Sequence, residues 1–430
     1  MKEIKWGCIQ PLTGGMYIGA RNAIGKPADW VISYPGLADA KTDNEGNLTK
    51  VSNEYHFLDW CKRNNELPKY KLFNKKPFET MRTSEVELID DPVWSTGEID
   101  LTDTDIVVSV PVCSGLSQAT IANEDTKNER NYNMIFNATW ALNEVRPKVY
   151  IFENAPTLFT GASAKPVRDV INEIGEKYGY SVIYYKTDTK LHDNCQRRPR
   201  TFVVMVRQDN DEKGAPLLGF ENIKTSILDF FARIPEDAAQ QVSLDLDNES
   251  KCFMSFVKHK YGENYRDTAK PWVMDNMIDD KLWNEFYQFM KDTNVPEVIQ
   301  NKLHKLCDHI QNKLAMGKSF YCLVPTWTLP NDETIAACMF KQIPYLLHFT
   351  EERNFTIREW LHMMGHPHDF ILHGDIKLNY AQIGQNVPVR TAQWIVSEAV
   401  RLVENWDNLE RTNDNIIYID NTKQKILTNK

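Results

Sequence analysis

The chain has 430 residues, of which 42% are apolar, 11% aromatic and 25% charged, and this composition rules out a disordered, collagenous or coiled-coil protein. The formal net charge of −9 argues mildly against a phosphate-rich partner without excluding one, because binding depends on the local field in a cleft. No apolar window reaches the roughly 18 residues of a membrane span, and the amino end lacks a secretory signal pattern. The eight dispersed cysteines do not make a disulfide framework, so we expect a cytoplasmic protein without a membrane partner.

Strands and helices alternate through the first half of the chain. Short, largely apolar runs bounded by turn residues predict strands at 30–33, 105–110, 149–152, 181–186 and 201–206. Helical periodicity predicts helices at 135–145 and 167–178. The polar segment 41–50 holds a Gly–Asn pair and is interpreted as a surface loop. This alternation predicts an α/β fold with a doubly wound, mostly parallel sheet.

The composition and the periodicity of the sequence change after about residue 208. An acid-rich stretch follows, and helical periodicity returns at 280–291 and 298–314. Strand and loop character resumes near Phe320, a helix begins near Thr356, and a last helix covers 389–404. We therefore predict a catalytic α/β domain in 1–207, a smaller insert in 208–320, and a return segment in 321–430 that completes the first domain.

Three groups of reactive side chains follow or precede predicted strands. Cys113 lies in a turn after the strand 105–110, and Glu153 ends the strand that begins at Val149. Residues 196–200 (QRRPR) bring three arginines to the start of the strand 201–206. Since ligands bind at the carboxyl ends of strands in open α/β sheets, these groups are candidates for a nucleophile, an acid and an anion clamp. Each has an ordinary interpretation as well: a buried thiol, a loop carboxylate and a solvated charge run.

Five motifs, in order, resemble those of the DNA cytosine-C5 methyltransferases. They are 111–117 (PVCSGLS), 153–155 (ENA), 196–200 (QRRPR), 355–370 (FTIREWLHMMGHPHDF) and 382–388 (QIGQNVP). The resemblance is good over 97–206 and 320–400, poor before 97, and absent between 208 and 320, where the family carries its target-recognition domain. It implies a divergent, phage-like member of the family, working in the cytosol of a bacterium or of a phage-infected host.

The resemblance implies a mechanism in which the Cys113 thiolate adds to C6 of a cytosine flipped out of double-stranded DNA. Glu153 then holds or delivers the N3 proton, and Arg198 and Arg200 bind O2 or a nearby phosphate. The polar stretch 114–133 is expected to be a loop that closes over the base. The DNA contacts that the resemblance implies are Ser117, Gln118, Arg130 and Gln196.

The motif for the methyl donor, S-adenosyl-L-methionine, departs from the family pattern. The family's Asp-Leu-Phe-x-Gly-x-Gly-Gly corresponds to 8–15 (CIQPLTGG), so glutamine replaces the phenylalanine, and the ribose-binding acid falls on or near Pro35. Residues 97–99 (GEI) keep the Gly-Asp-Ile pattern, and glutamine stands at 385 where asparagine is usual. The donor contacts implied by resemblance are Gln10, Thr13, Gly14, Gly15, Glu98, Ile99, Val112, Gln385, Asn386 and Val387.

Several alternatives stay open at this point. The donor could bind in another geometry, or a folate such as methylene-tetrahydrofolate could supply the carbon and yield hydroxymethylcytosine. The chain could instead be a non-catalytic DNA-binding relative, or act on tRNA. Restriction partner, phage protection and hypermodification are equally compatible roles. We expect a monomer.

Two further patterns concern the insert. His304, Cys307 and His309 do not share one helix face and have no fourth ligand nearby, so no metal is expected. Lysines and arginines in 251–270 and 302–318 make parts of the insert basic; these residues either contact phosphates or form a solvated helix face.

Overall fold

A ten-stranded mixed sheet forms the centre of the molecule. The computed structural model describes residues 3–76, 86–111, 116, 124–209, 213–268, 280–315, 326–330 and 346–428. The strands are β1 (Trp6–Ile9), β2 (Trp30–Ser33), β3 (Ala40–Thr42), β4 (Leu48–Val51), β5 (Lys69–Phe73), β6 (Leu88–Ile89), β7 (Ile106–Ser109), β8 (Val149–Asn154), β9 (Tyr180–Asp188), β10 (Pro199–Arg207), β11 (Thr326–Trp327), β12 (Leu346–Leu347), β13 (Ile416–Asp420) and β14 (Lys425–Thr428).

Helices cover both faces of this sheet. Further helices form in the middle of the chain, between β10 and β11. They are α1 (Gly15–Ile24), α2 (Asn53–Arg63), α3 (Glu124–Trp140), α4 (Thr157–Thr160), α5 (Lys165–Tyr178), α6 (Ile227–Phe231), α7 (Asn248–Tyr261), α8 (Tyr265–Thr268), α9 (Asp280–Asp292), α10 (Glu297–Ala315), α11 (Ile357–Met363), α12 (Ile376–Gly384) and α13 (Val389–Glu404). A π-helical turn, Ala141–Val145, extends α3. Within the ranges described, no helix is long and apolar enough to cross a membrane.

The strand order is β14-β13-β9-β10-β8-β7-β1-β2-β5-β6. From β1 the chain winds outward through β2 and β5 on one side, and then returns to β7 and β8 on the other. The sheet therefore has its topological switch point between β1 and β7, where a crevice opens at the carboxyl ends of the two strands. Both strands are entirely buried, as expected for parallel strands covered on two faces.

The α/β fold with a mostly parallel core is confirmed. Pairing is parallel through β8, β7, β1, β2 and β5 and again between β13 and β9. Strand β10 is antiparallel to both of its neighbours, β8 and β9. Only ten residues, 189–198, join β9 to β10, and this connection is too short for the crossover that a parallel pair requires.

Two local expectations were wrong. The segment expected to be a plain surface loop, 41–50, contributes to an exposed hairpin of β3 and β4. The polar stretch expected to be a loop as far as Asn133 is helical from Glu124, because α3 begins there and continues through Trp140. The rest of that stretch, apart from Leu116, lies outside the described residues.

Three apolar clusters form the core. The first two lie on the two faces of the sheet: α1, α2 and α13 cover one face, and α3 and α5 cover the other. The third contains residues 253–307 from α7, α8, α9 and α10, together with Trp327 and Leu347. The division of the chain at 207 and 320 stays a prediction, but this third cluster gives the insert an apolar core of its own.

Candidate active site at the carboxyl ends of the strands

The expected nucleophile, Cys113, lies outside the described residues, as do Val112, Ser117 and Gln118. The residues on either side are described. Ser109 ends β7 and pairs with Phe152, the residue before Glu153. On the far side, the Thr157 hydroxyl donates to the Leu116 carbonyl at 2.6 Å. Ser109 and Leu116, on either side of Cys113, are thus both held close to the end of β8.

Glu153 forms a buried ion pair with Arg200. The Glu153 Oε1 to Arg200 Nε distance is 2.6 Å, and the carboxylate side chain is 7% exposed. Strand pairing places these residues together: Glu153 is opposite Phe202 on β10, two residues from Arg200. Burial raises the pKa of Glu153, while Arg200 and then Arg198 act to lower it. A carboxyl with a raised pKa beside a cation can hold a proton and release it to a bound base.

Arg198 is almost completely buried and directed toward the return segment. Its Nη2 donates to the carbonyl oxygens of Gly384 and Asn386, each at 2.9 Å. Its backbone nitrogen donates to Asp188 Oδ1 at 2.9 Å. Arg200 is the arginine of the pair that contacts Glu153, so the two predicted clamp residues have different surroundings.

Gln196 is also fully buried, and neither atom of its side-chain amide has a hydrogen-bond partner among the described residues. Its role as a DNA contact therefore stays a prediction. Arg130, another predicted DNA contact, lies on α3. Arg197 is exposed between these buried residues.

The loop after β1 is the expected donor loop, residues 10–14. Gln10 and Leu12 have positive φ values of 55° and 53°, and Gly14 has a φ of 89° directly before α1. The Thr13 hydroxyl donates to the Gln382 carbonyl at 3.3 Å. A Cβ on Gly15 would lie 1.9 Å from the Val387 carbonyl oxygen. The glycine pair thus serves a tight turn and a close approach to the return segment.

The Gln10 side chain is directed inward, into a buried polar network at the ends of β1, β2 and β7. Asn137 Nδ2 lies 3.5 Å from Gln10 Oε1 and donates to the Ser109 hydroxyl at 3.2 Å. The Tyr34 hydroxyl donates to Asn137 Oδ1 at 2.5 Å, and Asn133 donates to Tyr34 at 3.1 Å. The amide that replaces the family's phenylalanine is therefore engaged with protein groups.

Glu98 and Ile99 have different surroundings. The Glu98 carboxylate is 91% exposed and pairs with Lys71 at 3.1 Å. Lys71 also pairs with Asp90 at 2.9 Å. Ile99 is partly buried and packs against the same apolar cluster as Ile9, the last residue of β1. Neither observation tests the role of Glu98 or Ile99 as a donor contact, which stays a prediction.

The return segment meets the donor loop through Asn386. Asn386 Oδ1 accepts from the backbone nitrogens of Gly15 and Val387, each at 2.9 Å. Val387 is buried in the core, and Gln385 Oε1 accepts from the Asn53 side chain at 3.3 Å. The structure thus brings Gly15 together with Asn386 and Val387. Their role as donor contacts stays a prediction.

Sequence reasoning missed Glu54, a completely buried carboxyl on α2. Its oxygens accept from the Ser33 hydroxyl at 2.6 Å and the Tyr70 hydroxyl at 3.0 Å, and the Leu12 nitrogen lies 3.4 Å away. Burial raises its pKa to about 7. The only sequence signal was a lone acid within an otherwise apolar helix face. Glu54 supplies a carboxyl at the end of β2, near the position where Pro35 cannot act as an acceptor.

His366, within the resembled motif 355–370, is buried. Its Nε2 lies 3.1 Å from the Thr13 carbonyl oxygen and 2.8 Å from Asn386 Nδ2. Burial lowers its pKa to about 4, so the ring is neutral near pH 7.

The basic residues of the insert are largely paired with acids. Lys302 pairs with Glu249 and Lys258 with Glu352, each at 2.6 Å, and Lys260 pairs with Glu285. Lysines engaged in this way have less charge to offer to phosphates, whereas Lys251 and Lys305 are exposed. His304 stacks on Tyr287, and within the part of the chain that the structure describes no cluster of acids, histidines and cysteines could hold a metal.

Comparison with known proteins gives a match to a family. The model of the C-5 cytosine-specific DNA methylases matches residues 63–401, well over half of the chain. The matched range begins after the donor loop, which agrees with the divergence of that loop.

Individual relatives are distant. A putative type II methyltransferase of Methanocaldococcus jannaschii, M.MjaORF1200P, is 23% identical over 300 residues, covering 68% of this chain and 64% of that protein. Type II methyltransferase M.BbvI of Brevibacillus brevis is 25% identical over 287 residues, covering 65% of each. A solved structure of a putative DNA modification methyltransferase encoded within an E. coli prophage has a TM-score of 0.48 at 14% identity, covering 93% of this chain and 99% of that one. The chain thus spans a little under two thirds of the length of the first two relatives.

Proposed function

Because the chain belongs to the C-5 cytosine-specific DNA methylase family, we propose that it methylates C5 of a cytosine in double-stranded DNA. The observation that carries this proposal is the buried pair of Glu153 and Arg200 at the end of β8. The expected nucleophile, Cys113, follows the adjacent strand β7. A nucleophile, a proton carrier and a cation on neighbouring strand ends match what a cytosine ring needs for substitution at C5.

The chemistry follows from the electron demand of the ring. Cytosine C5 is a weak nucleophile until a bond forms between the Cys113 sulfur and C6 and a proton reaches N3. Glu153 carries that proton, and Arg200 stabilises the charge that develops at O2. After C5 takes up the carbon, a base removes the C5 proton, the sulfur–C6 bond breaks, and the proton returns from N3 to Glu153.

These steps require an unstacked base. The atoms C6 and N3 cannot meet a thiol and a carboxyl at the end of a sheet while the base stays in the duplex. The target must therefore leave the helix, at a cost of a few kcal/mol. The ion pair lies in a largely desolvated place, where hydrogen bonds to a flipped base are strong.

The residues at the end of β1 fit S-adenosyl-L-methionine only in part. Thr13, Gly14 and Gly15 retain the turn into α1. The Gln10 amide is engaged with Asn137, and the Glu98 carboxylate is in solvent. When bound, this donor supplies an activated methyl group, because the rest of the donor molecule is a good leaving group.

The partial fit favours a second candidate, transfer of a carbon from methylene-tetrahydrofolate with addition of water to give hydroxymethylcytosine. The inward direction of Gln10 is the observation that favours it, because it departs from the contact that S-adenosyl-L-methionine receives in the resembled motif.

Mass spectrometry of nucleosides tests both candidates. Duplex DNA is incubated with the protein and with either donor, then digested. We expect 5-methylcytosine with S-adenosyl-L-methionine; hydroxymethylcytosine with the folate alone would favour the second candidate. Cys113→Ser should abolish the product, while the control Cys252→Ser, in the insert, should not. An unchanged yield in Cys113→Ser would refute the covalent mechanism. Covalent trapping on 5-fluorocytosine DNA provides an independent readout.

A further inference from the structure

The donor loop and Arg198 meet at one buried residue, Asn386. On the donor side, its side-chain oxygen accepts from Gly15 at the start of α1 and from Val387, each at 2.9 Å. On the base side, its backbone oxygen accepts from Arg198 Nη2 at 2.9 Å. A single residue thus contacts both halves of the site.

The side chain of Asn386 is buried among these protein contacts. The residue is 3% exposed, and its amide nitrogen lies 2.8 Å from His366 Nε2. A donor molecule therefore has little access to the amide group at this position. The direct donor contact implied by the resemblance becomes an indirect one, through the Gly15 amide.

The contact between Gly15 and residues 386–387 is also too tightly packed for one segment to move past the other. A Cβ on Gly15 would lie 1.9 Å from the Val387 carbonyl oxygen and 2.7 Å from Asn386 Oδ1, so backbone lies directly against backbone. Close-packed interiors transmit displacements instead of absorbing them. A shift of the loop 13–15 therefore moves 386–387.

The displacement of 386–387 is passed on toward the flipped base through Arg198. Arg198 Nη2 donates to Gly384 as well as to Asn386, so the guanidinium is anchored to the end of α12. Two residues further along β10, Arg200 pairs with Glu153 at 2.6 Å. The path from Gly15 to Glu153 consists of hydrogen bonds, one strand and an ion pair.

We propose that Asn386 is a positioning residue that couples donor binding, through Arg198 and β10, to the placement of Arg200 beside the flipped cytosine. Donor and DNA then bind with positive coupling, each tightening the other by the same factor. This inference rests on the proposed function, because it requires a donor at the end of β1 and a base beside Glu153.

The test measures the affinity for a cytosine-containing duplex with and without S-adenosyl-L-homocysteine. For the wild-type protein we expect a ratio of about fivefold or more, the lower end of typical allosteric coupling. Asn386→Ala should bring the ratio close to one. Asn386→Ser, the residue of the resembled motif, is the variant that should fold without difficulty. Its side chain is one bond shorter and fails to reach Gly15, so its ratio should also fall at least threefold.

Two further variants separate coupling from a general structural effect. Asn386→Asp keeps an acceptor for the amides of Gly15 and Val387, and we expect it to retain most of the ratio. Asn379→Ala removes a similarly buried asparagine of α12 and should leave the ratio unchanged, even if it lowers the melting temperature.

A wild-type ratio of one, or an unchanged ratio in both Asn386→Ala and Asn386→Ser, overturns the inference. The proposed function survives either result if modified cytosine still forms. A wild-type protein that forms no modified cytosine with any donor refutes the proposed function, and the inference with it.

Discussion

Replacing Glu54 with glutamine is expected to change how stability depends on pH. Glu54 is completely buried, and its oxygens accept hydrogen bonds from Ser33 and Tyr70. Burial is the largest cause of the increase in its pKa, from 4.5 to about 7; the hydrogen bonds act in the opposite direction. Glutamine has the same shape and no charge, so the substitution removes the titration while keeping the packing.

The sign and size follow from proton linkage. In the unfolded chain the carboxyl loses its proton near 4.5, whereas in the folded protein it keeps the proton up to about 7. Between these values the folded state binds the extra proton. The free energy of unfolding therefore falls as the pH rises through this window, and the stabilisation by Glu54 is lost above it. The separation of the two pKa values corresponds to about 3 kcal/mol.

Urea unfolding at pH 5, 6, 7 and 8 measures this effect as the difference between Glu54→Gln and wild type. The difference is needed because four histidines titrate in both proteins, each with a pKa that burial lowers to about 4: His56, His348, His362 and His366. We expect the variant to gain about 3 kcal/mol on the wild type between pH 5 and pH 8. Glu45→Gln, in the exposed turn between β3 and β4, is the matched control. A difference that stays constant over the whole range would refute the reasoning.

Three other predictions concern catalysis, packing and acid stability. Glu153→Gln cannot deliver a proton, so kcat in a methyl-transfer assay should fall about 10²- to 10⁴-fold; a change below threefold would contradict the role of this carboxyl. Gly15→Ala forces a Cβ to 1.9 Å from the Val387 oxygen and should lower the free energy of unfolding by about 1–3 kcal/mol in urea titrations. Gly219→Ala, whose Cβ would meet nothing closer than 3.4 Å, should have a small effect, and equal losses would argue against the clash. His56, His348, His362 and His366 bind protons more readily in the unfolded chain, so the urea midpoint should fall as the pH is lowered from 6.5 to 4; a flat midpoint would show that they become protonated without unfolding.

The sequence predicted the centre of the sheet well, because buried parallel strands are short apolar runs. The prediction 30–33 coincides with β2, and 389–404 coincides with α13. The direction of β10 could not be predicted from its composition, since an antiparallel strand in the middle of a sheet is equally apolar. The length of the connection 189–198 decides it.

The sequence predicted a residue of the candidate site only where the residue type and its position at a strand end indicate a chemical role. Glu153 and Arg200 were found because a carboxylate and an arginine at strand ends have a recognisable role. Glu54 has no local pattern, because its role depends on Ser33, on another element. The motif 382–388 identified Asn386, but its contact with Gly15, far away in the sequence, could not be derived from that motif. The surroundings of Gln10, in the loop after β1, likewise depend on Asn137, which lies on α3.

The packing of α1 against α13 determines when this protein can complete its fold during synthesis. Met16, Tyr17, Ile18 and Ala20 form the buried side of α1, and Gly19 lies directly against Ala392 on α13. A chain still being translated has made α1 long before residues 389–404 leave the ribosome. Its first helix therefore carries an uncovered apolar side for most of translation, a state prone to aggregation and a natural client for chaperones. The late arrival of α13 means that the site can form only after residue 404 has left the ribosome, and not when the first strands and helices have been made.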